Sequence, residues 1–508
     1  MQPTVGRANR PAAGLLILCL GLGTGAYGQD GGQPLAPVRA QTATGPLRGN
    51  PANTRYFTDG SGKAIYLAGS HVWSNLTDRG TLNPPQVAFD YPVYIQWMVA
   101  HNFNFMRLWA SELTDCGNGP KADVDEGIVA PPTRWMRTGP GYANDGRLKY
   151  DLAQFDQSYF DRMRARTIMA GENGIYVSVM LFNGFEFQFE TNEKDGDPFR
   201  DVNNINNISC PGNCPADSAQ MPDAVWSVEK AYIRKVIDTV NDLDNVLYEV
   251  SNESQSPFAD TWEANVISYI KQYEATKPKH HPVGWTFEIQ GFDSNLFGSA
   301  ADWISPRSRV TISDGSKVVI NDTDHSYNWR YIRPEPAICH RNWAWENFTS
   351  GNNVAFMDPY LVVWTNRNTP EGTTVDPRVG LKTDNFYEPI REAMGATLTY
   401  ANRMNLVAMT PQPALSSTHF CLANPGTEYL VYQPFAKDFT VDLVAGTYQY
   451  ELLNAATNRI TASGTISVTG GDHTFSPTFS GDAVVYLHVS LNRQAPEGST
   501  GRELPAYP

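Results

Sequence analysis

Between residues 64 and 357 of this 508-residue chain, a short apolar run followed by a helical or long loop segment occurs eight times. Runs this short, dense in Val, Ile, Leu and aromatics, read as strands covered on both faces, which is how parallel sheets appear in sequence. The runs fall at 64–69, 103–108, 175–182, 246–250, 281–287, 301–304, 317–321 and 353–357. Helical periodicity fills 87–101, 154–171, 223–243, 261–276 and 343–349, and a last helix at 384–405 closes the ring. The sixth run has no clear helix behind it. Strand then helix, eight times over, predicts an α/β fold of the (β/α)8 TIM-barrel type, spanning 54–410. Two long connections, 111–149 and 185–221, belong on the side of the barrel where loops build a cleft.

Past residue 410 the apolar period drops from about 3.6 to 2. Short runs at 429–433, 439–443, 447–453, 460–468 and 483–489, separated by Gly, Pro and Asn, predict a small C-terminal antiparallel β-sandwich over 411–495. Residues 496–508 read as a tail. At the other end, Arg7 and Arg10 precede an apolar run at 12–22, and Ala26-Tyr27-Gly28 follows. That is the pattern of a secretory signal peptide over 1–28, too short and too rich in glycine for a membrane span. The expected location is therefore secreted or periplasmic. Residues 29–53, rich in Gly, Pro, Ala and Gln, read as a flexible linker.

Export permits disulfides. Cys210 and Cys214 bracket a tight Pro-Gly-Asn turn and are expected to pair, which leaves Cys116, Cys339 and Cys421 with at least one thiol unpaired within the chain. Their spacing does not suit zinc, and no metal or cofactor is expected. With 53 acidic against 39 basic residues the net charge is -14, so a phosphate backbone would be repelled.

Chemistry on such a barrel belongs at the C-terminal ends of the strands. The fourth run, in NVLYEVSNESQ (245–255), stops on Asn252-Glu253 before a turn. The seventh, in VVINDTDH (318–325), stops on Asp322, Asp324 and His325. Two carboxylates from distant strand ends are what glycoside hydrolysis requires, one to hold a proton and one to stay ionised. Glu253 is the expected acid/base. Asp322 or Asp324, two apart and so on one side of an extended strand, is the expected nucleophile. Structural readings compete: a solvated loop glutamate at 253, or an Asx turn at 322–324.

Other strand ends supply candidate substrate contacts: His71 and Trp73, Arg107 and Trp109, Asn252, Glu288, His325, Trp329 and Asp358. Arg107 can hold a carboxylate ionised. Glu288 and Asp358 are the reserve carboxylates. Trp343 and Trp345 suit a helix core better than a sugar platform, and Arg341 lies within sequence reach of the site. No Gly-x-Ser-x-Gly elbow, Walker loop, dinucleotide fingerprint or His-Glu-x-x-His occurs. The sequence thus points to an enzyme cleaving O-glycosidic bonds of a polysaccharide or oligosaccharide. The alternatives are a non-catalytic carbohydrate-binding or adhesion protein, and a polysaccharide lyase using His71, Arg107 and Tyr248.

The segments YLAGSHVW (66–73), FNFMRLW (103–109), VLYEVSNES (246–254), ADWISP (301–306), VVINDTDH (318–325) and WAWENFTSGNNVAFMDPY (343–360) resemble the clan A glycoside-hydrolase barrels. More closely, with 393–434, they resemble secreted cellulase-like or apiosidase-like (DUF4038-type) proteins that end in a β module of the collagen-binding type. The resemblance covers nearly the whole chain after the leader. It implies that Glu253, preceded by Asn252, is the acid/base, that the nucleophile lies within 322–324, and that configuration is retained. An Asp at the seventh strand departs from the usual Glu of that clan.

Overall fold

The computed structural model describes residues 32–38, 42–78, 80–81, 88–111, 128–129, 131–184, 196–210, 222–254, 259–287, 291–323, 337–358, 360, 387–435 and 437–489. Eight parallel strands close a barrel: β1 (Ala68–His71), β2 (Phe105–Leu108), β3 (Tyr176–Asn183), β4 (Val246–Asn252), β5 (Val283–Thr286), β6 (Trp303–Ser305), β7 (Val318–Asp322) and β8 (Asn353–Met357), with β8 pairing back onto β1. Every strand residue is buried, so each strand reads as a nearly unbroken apolar run. Among the buried polar residues that interrupt these runs are His71, Arg107, Ser178, Glu249, Asn252 and Asp322, where the barrel departs from packing chemistry.

Helices surround the strands: α1 (Tyr91–Ala100), α2 (Gln157–Glu172), α3 (Asp223–Val240), α4 (Ala259–Glu274), α5 (Asp293–Gly298), α6 (Ala337–Thr349) and α7 (Glu388–Arg403). Asp90 and Asp156 cap α1 and α2 by accepting from the Val93 and Ser158 amides, at 3.2 and 3.0 Å. On α3 the residues Val225, Tyr232, Ile233, Val236, Ile237 and Val240 form the stripe that packs inward. All eight expected strands are present, each within a few residues of its expected bounds.

The connection after β2 is not an open loop. It folds into a hairpin, Trp135–Tyr142 against Leu148–Phe155, whose Tyr150 exchanges backbone hydrogen bonds with the third connection at Asn203 and Ile205 (both 2.9 Å). The hairpin and the third connection are thereby welded into one wall.

The C-terminal region is a seven-stranded antiparallel sheet with a two-stranded sheet, Phe439–Leu443 and Gly471–Phe475, packed on one face. Its other face lies against α6 and α7. One edge strand is Gln33–Pro34, paired with Arg459 and Ile460. Residues 32–38 and 42–53 are therefore not the free linker expected. Leu35 packs against the core, Leu47 is buried, and Arg48–Gly49 pairs with Phe57–Thr58. Cys210 is buried and disulfide-bonded; Cys214, its expected partner, lies outside the described residues. Cys421 is a free thiol, pushed up to about 12 by burial. Among the described residues no helix is long and apolar enough to cross a membrane.

Candidate active site

One guanidinium gathers the polar residues of the barrel mouth. Arg107, near the end of β2, is buried, and its Nε donates to Glu249 Oε2 at 2.9 Å while Nη2 completes the fork on Glu249 Oε1. The same Nη2 donates to Asn252 Oδ1 at 3.0 Å, and Nη1 donates to Asp322 Oδ2 at 2.6 Å. The planar fork of arginine suits this task, because two of its edges serve two carboxylates at once. Asp322 at the end of β7 and Asn252 at the end of β4 therefore lie one guanidinium apart.

His71, the last residue of β1, sets its Nε2 3.1 Å from Asp322 Oδ2 and 3.4 Å from Arg107 Nη1. Burial lowers its proton affinity below the ordinary value, and this outweighs the pull of Asp322. A neutral ring with its proton on Nε2 fits the contact, donating to the carboxylate. The ring stacks on Trp109, with centroids 5.2 Å apart and planes 2° from parallel. Asn75 fixes that floor by accepting from the Trp109 amide (2.7 Å) and donating to the Arg107 carbonyl (2.6 Å). Half-buried Trp73 packs beside Trp109 at 6.4 Å. Among the described residues, buried His71 Nδ1 and Trp109 Nε1 have no hydrogen-bond partner.

Glu253 follows directly. It is half-buried and sits in the left-handed region at φ 51°. The other non-glycine residues described there are Asn102, Asn207, His419 and Asn458, types that tolerate the conformation. A glutamate there costs about 1–2 kcal/mol of backbone strain, and strain of this kind concentrates at functional sites. Ser254, next in the chain, is buried and donates to Glu263 of α4 at 2.9 Å, holding the turn.

Other expected site residues are placed elsewhere. Both oxygens of Asp358 accept the fork of Arg391 on α7, at 2.6 and 2.8 Å, and the pair is fully buried. This carboxylate anchors the closing helix and does not serve as a sugar contact. Arg341 turns away from the mouth to pair with Asp482 of the C-terminal sheet at 2.7 Å. Trp343 and Trp345 are buried core residues, the latter stacked on Tyr432. Tyr248 packs edge-on against His281 before β5, at the far end of the barrel, which takes Tyr248 out of the lyase alternative. Glu288, Asp324, His325 and Trp329 lie outside the described residues.

Glu249, Ser178 and Thr286 were not anticipated. Ser178 and Thr286 donate to Glu249 at 3.3 and 2.7 Å, so this carboxylate takes donors from three neighbouring strands. The available signal was a glutamate in the middle of the apolar run VLYEV. Among the described residues, no group of His, Cys, Asp and Glu could hold a metal ion. At the opposite end of the barrel a pocket of about 310 Å³ is also lined by charged groups. Of those groups Lys271 pairs with Asp302 and His281 with Glu274, both at 2.8 Å.

A family model described as a domain of unknown function (DUF6298) matches residues 129–294, from just before the hairpin to past β5. No curated protein matches the chain. Among solved structures, one titled "Glycoside hydrolase" is 12% identical, with a TM-score of 0.57, covering 89% of this chain and 99% of that one. A glycoside hydrolase family 5 structure from Bacteroides vulgatus ATCC 8482 is also 12% identical, with a TM-score of 0.55, covering 88% of this chain and 93% of its own. At such identity the likeness is one of fold: the barrel and the C-terminal sheets together match proteins whose titles name glycoside hydrolases.

Proposed function

We propose that this protein is an exported glycoside hydrolase that cleaves O-glycosidic bonds of a polysaccharide or oligosaccharide, with Glu253 as acid/base and Asp322 as nucleophile. The observation that carries this reading is the Arg107 guanidinium, which binds Asp322 and Asn252 together at the C-terminal mouth of the barrel. Arg107 and the Nε2–H of His71 favour the ionised form of Asp322, as a nucleophile needs. Glu253 is half-buried on a held turn, where it can both meet a leaving oxygen and retain a proton. Asp322 is preferred over Asp324 because its contacts are these. The fold likeness to glycoside hydrolases supports the same class.

In the step proposed, Asp322 attacks the anomeric carbon as the bond to the leaving oxygen breaks, and that oxygen takes the proton of Glu253. Water deprotonated by Glu253 then releases the sugar from Asp322 with net retention. Carboxyl groups ~5–5.5 Å apart suit this course, whereas ~6.5–9.5 Å would leave room for water and invert. Half-buried Trp73, packed on Trp109, supplies an apolar face for a sugar ring.

The test is a screen of polysaccharides and aryl glycosides with the anomer of the product read by NMR. Glu253→Gln should lower turnover by about 10²–10⁴-fold while the protein stays folded. Azide should restore activity to a small-residue variant at Asp322 and not to one at Asp324. Glycan binding with no hydrolysis, indifferent to Glu253→Gln, would instead identify a binding protein on a hydrolase scaffold.

A further inference from the structure

We propose that Glu249 is a third carboxylate of the site, a positioning residue that fixes the plane of Arg107 and divides its positive charge between itself and Asp322. The role of Asp322 as nucleophile rests on the function proposed above; the contacts of Glu249 do not. Glu249 is fully buried, and its two oxygens accept from Arg107 Nε and Nη2, from Ser178 Oγ and from Thr286 Oγ1. A two-point fork leaves a guanidinium no rotation in its own plane. With Nε and one side of Nη2 held by Glu249, the remaining donors must point toward β4 and β7. That is where Asn252 Oδ1 and Asp322 Oδ2 are found.

The charge argument follows from the same contacts. Among the described residues, the charged and titratable groups in contact in this cluster are Arg107 from β2, His71 from β1, Asp322 from β7 and Glu249 itself from β4, with Glu253 one residue beyond Asn252. His71 is held neutral by burial, so among these described groups one positive charge faces two carboxylates. Were Arg107 to face Asp322 alone, Asp322 would be held so firmly ionised that its nucleophilicity would fall. A second carboxylate on the same guanidinium keeps that grip moderate, because like charge nearby raises the proton affinity of its neighbour. No other strand carries a buried acid that touches Arg107 among the described residues.

The experiment reads Asp322 directly, without requiring turnover. Protein labelled with ¹³C at the Asp side-chain carboxyl is titrated by NMR, with the Asp322 resonance assigned by its loss in Asp322→Asn. In Glu249→Gln the Asp322 midpoint should fall by about 1 pH unit or more. Glu249→Asp keeps the charge but withdraws it by one methylene, and should give a smaller fall in the same direction. If the Gln variant does not fold, the Asp variant carries the test. An Asp322 midpoint equal to wild type in whichever variant folds overturns the proposal. If the wild-type protein hydrolyses a glycoside, kcat should fall in Glu249→Gln with KM nearly unchanged, and the acidic limb of its pH profile should move down. A wild-type protein inactive on every glycoside, yet showing the NMR shift, would sink the hydrolase reading and leave the charge-sharing role standing.

Discussion

A buried imidazole beside a carboxylate feels two opposing pulls on its proton, and at His71 burial decides the balance, with Arg107 adding to it. The carboxylate of Asp322 already receives a guanidinium at 2.6 Å, so its attraction for a second positive charge is largely spent. A protonated ring would also face Arg107 Nη1 at 3.4 Å. Burial then dominates and the folded protein keeps His71 neutral below its ordinary 6.5. The consequence for stability has a definite sign. Below pH 6.5 the unfolded chain takes up a proton that the native site refuses, so this contribution is intact above pH 6.5 and is lost as pH falls toward the depressed native value. Thermal melts of wild type and His71→Asn between pH 8 and 5 should show the wild-type advantage shrinking below 6.5. A difference that stays flat or grows on acidification would mean that His71 is charged in the native state. The polar residues at strand ends were legible in sequence because polar side chains there interrupt runs that packing alone would keep apolar. Glu249 was not, because it lies inside such a run and its partners come from β2, β3 and β5. Asp358 was misjudged for a related reason: a strand-end acid looks the same whether it faces a cleft or the arginine of a distant helix.

At the scale of elements, the site depends on how closely β3 and β4 approach at the rim. Gly184, just past β3, donates its amide to the Asn252 carbonyl at 2.6 Å. A Cβ at 184 would sit 2.5 Å from the Glu253 carbonyl oxygen and 2.8 Å from Ser254 Cα, both backbone atoms that cannot swing aside. Gly184→Ala should therefore push the turn that carries Glu253 outward. A stability loss of about 1–3 kcal/mol is expected from the overpacking, with turnover on any identified glycoside falling by about 10²-fold through misplacement of the acid. Gly298→Ala, where a Cβ meets nothing within 4 Å, is the control and should leave both unchanged. Equal effects at the two positions would show that Gly184 has no special relation to the rim. The strands were readable because burial on both faces writes itself as composition. The hairpin at 135–155 was not, since Gly139, Pro140 and Gly141 interrupt its first strand and its order comes from the Asn203 and Asn206 side chains that bind it from outside and from Arg137, which pairs with Asp145 across its turn.

At the scale of the whole molecule, the described part of the C-terminal sheet shares its core with the barrel. Leu422, Leu430, Tyr432, Leu453, Val484 and Tyr486 belong to the same buried cluster as α6 and α7, and Trp345 stacks on Tyr432 with centroids 6.1 Å apart. Polar contacts reinforce this seam: Arg341 with Asp482, Arg403 with Glu451 at 2.7 and 2.9 Å, and Tyr400 with Glu451 at 2.7 Å. Arg341 and Asp482 are buried, so removing one partner strands the other charge away from water. Asp482→Ala should destabilise the protein by about 3–5 kcal/mol, whereas replacing both residues by apolar side chains of similar size should cost far less. Chemical denaturation of the single and double variants measures both quantities. Because the seam joins β-sheet to barrel helices, the single variant should still unfold in one transition at lower denaturant. Two separated transitions, with the barrel's midpoint unmoved, would mean that the C-terminal sheet is an independent module resting on the barrel. The seam explains why Arg341, close to the site in sequence, takes no part in it: its side chain is committed to holding the two sheets' supporting layers together, and the barrel mouth is left to Arg107.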